Sequence, residues 1–102
     1  MKLWKILLMV FLIFDSIPAM ASMCTVTAYS NESGNLTASG EYTHDGGCAC
    51  DFLPLGKEVL INGEKYVVND RIGEGSTDHI DIWMDSTADA LNWGVKRLDV
   101  EW

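Results

Sequence analysis

The chain arranges its apolar residues in two different ways. Behind Lys2 and Lys5 they run unbroken from Ile6 to Phe14, and Asp15-Ser16, Pro18 and the small-residue sequence Ala19-Met20-Ala21 follow. A basic start, an apolar run and an A-x-A site predict a secretory signal peptide over residues 1–21, cleaved after Ala21. The run falls well short of the roughly 20 residues a helix needs to cross hydrocarbon, so no stable membrane insertion is expected after cleavage. Beyond residue 21 the apolar positions alternate instead. Cys24 to Tyr29 reads as a strand built on β-branched residues, and Ser30 to Gly47 as a long polar loop. Lys57 to Ile61 and Glu64 to Asn69, joined by Asn62-Gly63, predict a hairpin with a type I′ turn. Ile80 to Met84 is a strand with Asp81 and Trp83 on one face and Ile80, Ile82 and Met84 on the other.

Ser86 has the character of an N-cap, with Asp89 three residues on and Gly94 placed as the C′ residue, which predicts a two-turn helix over about 86–93. Val95 to Trp102 alternates again, Leu98, Val100 and Trp102 opposing Arg97, Asp99 and Glu101. About six short strands and one short helix within residues 22–102 predict a single, mainly β domain closed into a small barrel.

Length allows no second domain: the chain has 102 residues. Its 7 basic and 15 acidic side chains give a formal charge of −8, and the leader takes away Lys2, Lys5 and Asp15, which leaves the mature part at −9. Such a surface repels a phosphate backbone, so nucleic acid is not an expected partner. A core this small is marginal, and export to an oxidising compartment permits a covalent staple. Of Cys24, Cys48 and Cys50, the last two are too close for an unstrained ring, so the expected disulfide joins Cys24 to Cys48 or Cys50. His44 and His79 lack any Cys-x-x-Cys spacing beside them, and no metal site is expected. Neither a Gly-rich phosphate loop nor a nucleophile elbow occurs, and no cofactor is expected.

Chemistry therefore has to come from carboxylates. Asp70 and Asp81 each lie in or at the end of an apolar strand, and Asp51 stands between Cys50 and the run Phe52-Leu53-Pro54-Leu55. An ionised side chain in such flanks is costly unless paired, and apolar surroundings push a carboxyl towards the range of a general acid.

Five ordered blocks carry these aspartates: Thr27-Ala28-Tyr29, Thr37-Ala38-Ser39-Gly40, Asp51 to Gly56, Asp70, and Ile80 to Ser86 with Ala90-Leu91-Asn92-Trp93-Gly94. Together they resemble the 3D domain, named for three aspartates, which also forms the C-terminal part of membrane-bound lytic transglycosylase A and occurs in resuscitation-promoting and stationary-phase survival proteins. The resemblance covers the chain from about Thr25 to Trp102. It implies a six-stranded double-psi β-barrel whose aspartates share a groove, and action on the glycan strands of peptidoglycan. By position, Asp81 matches the catalytic acid, Asp70 and Asp51 the aspartates that flank it, Thr37 a loop threonine near the groove, and Tyr29 the first-strand motif. Trp83, on the face of Asp81, is placed to stack on a sugar ring or to fill the interior.

A lytic transglycosylase breaks the MurNAc-GlcNAc bond with the muramyl 6-hydroxyl as internal nucleophile, leaving a 1,6-anhydro sugar, so one carboxyl serves as acid and then as base. Ionised Asp70 and Asp51 would raise the pKa of Asp81 by repulsion.

The chain departs from the family after Asp70: Arg71-Ile72-Gly73-Glu74-Gly75 stands where Thr-Gly-Gly and Lys-Gly are usual. The Asp70-Arg71 pair resembles expansin-like and barwin-like barrels, several of which bind polysaccharide without cleaving it, and makes Arg71 a substrate-binding candidate. The expected partner is thus the peptidoglycan glycan strand, met in the periplasm or outside the cell. A polysaccharide-binding barrel without activity, and an envelope protein that binds another protein, are the alternative classes.

Overall fold

The computed structural model describes residues 20–31 and 35–102. They form six strands, β1 (Ala21–Tyr29), β2 (Gly47–Cys50), β3 (Glu58–Ile61), β4 (Glu64–Asp70), β5 (His79–Trp83) and β6 (Lys96–Glu101), with one short helix, α1 (Thr87–Trp93), before β6. The strands close into a barrel in the order β1-β5-β2-β4-β3-β6. Pairing is mixed: β1 with β5 and β2 with β4 are parallel, and the other four contacts are antiparallel. A closed barrel leaves no exposed strand edge, which suits a domain with little core to spare.

Alternation decides what lies inside. Cys24 and Val26 of β1, Cys48 and Cys50 of β2, Val59 and Ile61 of β3, Val68 of β4, Ile80 and Ile82 of β5 and Val100 of β6 fill the interior, with Leu53 beside them. Each such Val or Ile contributes about 1.5–3 kcal/mol by leaving water. The hairpin has the expected turn, Asn62 and Gly63 both at positive φ (51° and 85°). Ser86 caps α1 by accepting from the Asp89 N–H, and Gly94 ends it at φ 71°. The helix packs on β1, where Trp93 Nε1 donates to the Val26 carbonyl.

Strand β2 has no counterpart among the elements expected from sequence. Gly47-Cys48-Ala49-Cys50 is buried on both faces, so it carries no alternation of polarity to read. Among its described residues, the polar stretch before it holds one short pairing, Leu36 with Tyr42.

The expected disulfide is not formed; Cys24, Cys48 and Cys50 are buried free thiols. The strand order gives the reason. β5 lies between β1 and β2, and the register sets Cys50 level with Val26 and Cys48 level with Ala28, so neither stands beside Cys24. A disulfide needs Cα atoms about 4.4–6.8 Å apart.

The expected signal peptide lies, apart from its last two residues, outside the described residues. Met20 and Trp102 exchange two backbone hydrogen bonds, and Ala21 pairs with Glu101. No helix among the described residues is long and apolar enough to cross a membrane.

Candidate active site

A row of paired residues crosses the outer face of the barrel. Thr27 of β1 is opposite Asp81 of β5, Asp81 is opposite Ala49 of β2, and Ala49 is opposite Asp70 of β4. Residues opposite one another in a ladder send their side chains to the same face, so the two aspartates flank the small, buried Ala49. Strict alternation would deny Asp70 this place. Val68 points inward, and two residues further on Asp70 would do the same. The register shifts between Cys48 and Ala49, which are opposite Val68 and Asp70, so Asn69 is an extra residue in β4. That bulge turns Asp70 outward to the level of Asp81.

Asp81 is half-buried, and burial is the main force that raises its pKa above the ordinary carboxylate value. The Thr27 hydroxyl, donating to Asp81 Oδ1 at 2.9 Å, and the nearby His79 oppose the rise, while Glu74 adds to it. The direction is the one expected, but its source is not Asp70 or Asp51. Oδ2 of Asp81 has no hydrogen-bond partner among the described residues.

Asp70 accepts from the N–H groups of Ala38 (3.0 Å) and Arg71 (2.9 Å) through one oxygen, Oδ1. The first of these ties down the polar loop. Thr37 organises that loop from within: it is buried, its hydroxyl donates to the Glu41 carbonyl at 2.6 Å, and its carbonyl accepts from the Gly40 N–H. Thr37 thus positions the turn that meets Asp70. Tyr29, opposite Trp83 at the end of β1, has its hydroxyl buried close to Asp70 without a hydrogen bond of good geometry. Burial, then the carboxylates of Asp70 and Asp81, push its pKa far up. Trp83 lies on the Asp81 face, and its Nε1 donates to Asn31 Oδ1 at 2.7 Å, pinning the start of the loop to β5.

Asp51 is placed differently. Its carboxylate accepts from the N–H groups of Ile72, Gly73, Glu74 and Gly75 at 2.8–3.1 Å. Gly73 and Gly75 take positive φ (86° and 73°), the conformation that lets successive N–H groups converge on one anion. The Gly73 N–H leads in lowering the pKa to about 2, against some desolvation and with help from Glu74, Gly75 and Ile72. Arg71 returns the contact, its Nη1 donating to the carbonyls of Cys50 (2.8 Å) and Leu53. Both residues hold loops together.

Three side chains missing from the sequence-based site stand in it. Thr27 lies 2.8 Å from His79 Nε2 as well as bonding Asp81, and His79 Nδ1 meets Glu74 Oε1. His79 had a readable signal, since it shares with Asp81 and Trp83 the odd positions of β5; beginning that strand at Ile80 leaves it in the loop.

The fold and the site together define a closed, mixed β-barrel with a carboxylate row on its outer face. No family model matches the chain, and no curated protein matches it.

Proposed function

We propose that this protein is an exported peptidoglycan lytic transglycosylase in which Asp81 serves alone as acid and base. The observation that carries the reading is the state of Asp81: half-buried, raised in pKa mainly by burial, held through Oδ1 by Thr27, with no hydrogen-bond partner for Oδ2 among the described residues. Such a carboxyl keeps its proton to higher pH than a solvated aspartate and has one oxygen free to protonate a glycosidic oxygen. As carboxylate it then takes the proton of the muramyl 6-hydroxyl, which closes the 1,6-anhydro ring.

The two parallel pairs within a six-stranded closed barrel support the double-psi assignment that goes with this reading. Asp70, on the far side of Ala49, bears on charge that develops at the sugar. Its placement also supports a second reading, an inverting hydrolase with Asp81 as acid and Asp70 as base, the two on strands that flank Ala49. Arg71 lends less to an expansin-like binding role, because its Nη1 is engaged by carbonyls of the neighbouring loop.

The test is mass spectrometry of soluble products after the purified protein is incubated with sacculi, beside Asp81→Asn. Anhydro-muropeptides from the wild type alone are expected. Reducing-end products would select the hydrolase, and sedimentation of both proteins with no product would overturn catalysis in favour of a wall-binding barrel.

A further inference from the structure

Glu74, His79, Thr27 and Asp81 form one unbroken line of polar contacts from the loop after β4 to the candidate acid: Glu74 Oε1 to His79 Nδ1, His79 Nε2 to Thr27 Oγ1 at 2.8 Å, and Thr27 Oγ1 to Asp81 Oδ1 at 2.9 Å. The middle member has a single proton. If Thr27 donates to Asp81, the only partner able to fill its lone pair is an Nε2–H. His79 then carries protons on both nitrogens, Nδ1–H facing Glu74, and the pair is imidazolium with carboxylate. If Thr27 donates to Nε2, Asp81 must donate to Thr27, and the pair is neutral imidazole with carboxylic acid. The two arrangements contain the same protons. They interconvert when Nε2–H moves to Thr27 Oγ1 as the Thr27 proton moves to Asp81 Oδ1, with no heavy atom displaced.

We propose that Glu74, His79 and Thr27 are a proton-sharing chain that sets the charge of Asp81, with His79 and Asp81 holding one exchangeable proton between them through the Thr27 hydroxyl. His79 and Thr27 are positioning residues; their use in catalysis rests on the reading of Asp81 as acid and base. When Asp81 carries an acid proton on Oδ2, Thr27 donates to Oδ1 and His79 is imidazolium, one proton more than either arrangement above. Passing that proton to the leaving oxygen gives the imidazolium–carboxylate arrangement, in which Oδ1 is met by a hydroxyl already backed by an N–H donor. Glu74 holds the imidazole in the orientation and tautomer the chain needs, as a carboxylate does behind a catalytic histidine.

The surroundings leave few other groups to share the titration. Around His79 stand Glu74 of the loop, Thr25 and Thr27 of β1, Asp81 of its own strand, and Asp78, which is paired with Arg97 of β6. Around Asp81 stand Thr27, His79 and Glu74, with Tyr29 and Cys48 within electrostatic reach and Asp70 beyond Ala49.

The experiment is an NMR titration of the whole protein that follows the Asp81 carboxyl carbon and the His79 ring nitrogens, in wild type, Thr27→Val, Thr27→Ser and Asp81→Asn. In the wild type the His79 ring-nitrogen signals are expected to change in concert with the Asp81 carboxyl, as coupled sites do. Thr27→Val should separate them and move the Asp81 step upward, because a stabilising donor to the carboxylate is lost. Thr27→Ser should restore the shared response, and Asp81→Asn should abolish it at the His79 ring nitrogens. A His79 titration that is identical in all four proteins would overturn the chain. A shared response in a protein that releases no product from sacculi would leave the chain standing and sink the catalytic reading, so the two failures are distinguishable.

Discussion

Asp51 and Arg71 grip each other's loops. The carboxylate of Asp51 accepts four consecutive N–H groups from residues 72–75, and the Arg71 guanidinium donates to the carbonyls of Cys50 and Leu53 on either side of Asp51. The segment after β2 and the segment after β4 are locked by charge-assisted bonds running in both directions. Because Glu74 sits inside the gripped stretch, this clasp also fixes the far end of the line that leads through His79 to Asp81.

Asp51→Asn is therefore expected to lower stability at neutral pH and loosen the loop at residues 72–75. The carboxylate's pKa is pulled down from 3.8 to about 2 on folding. Its stabilising effect is thus full above about 3.8 and fades as pH falls towards 2. Thermal unfolding from pH 7 down to 2 should show a variant that melts lower at pH 7 and converges on the wild type in acid.

Asp81→Asn should do the opposite. Folding raises the pKa of this carboxyl, so its effect on stability is least adverse below the unfolded value and worsens as pH rises through the folded one. An amide in its place keeps the Thr27 bond without the charge. The variant is expected to melt a few degrees higher than the wild type at pH 7 while releasing no anhydro product. Wild-type activity should decline on the alkaline side as Asp81 loses its proton, which a pH profile of product release checks.

Gly47→Ala should be costly. A Cβ there would stand 2.5 Å from Asn69 Nδ2, and Asn69 is buried at 2% exposure in the bulge that turns Asp70 outward. A loss of about 1–3 kcal/mol is expected from overpacking, read by urea unfolding. Combining it with Asn69→Ala should recover part of the loss, because the clashing amide is gone.

The three thiols should be inert in the folded protein. Cys24 and Cys48 are raised in pKa mainly by burial, Cys48 to about 12, and all three side chains lie in the core. A thiol reagent at pH 8 is expected to modify none of them until denaturant is added, and then all three. Rapid modification of the native protein would contradict the packing described.

Local patterns settled much of this molecule in advance. Asn62-Gly63 specifies its turn because both residues accept positive φ, and Ser86 with Asp89 specifies the helix start because the cap is made within four residues. Alternation in β5 and β6 fixed which side chains face the core, Asp81 among those facing out, since period two follows from the backbone alone. What sequence could not supply depends on partners distant along the chain. A strand covered on both faces has no polarity pattern, so β2 was invisible. The order and register of strands around the barrel decided that neither Cys48 nor Cys50 stands beside Cys24. The bulge at Asn69, visible only in the pairing with β2, carried Asp70 to the outer face. Asp51 reads as an acid among hydrophobic residues, yet only the return of residues 72–75 shows its carboxylate filled by backbone donors. Thr27 and His79 lie 52 residues apart and meet solely because β1 and β5 run side by side.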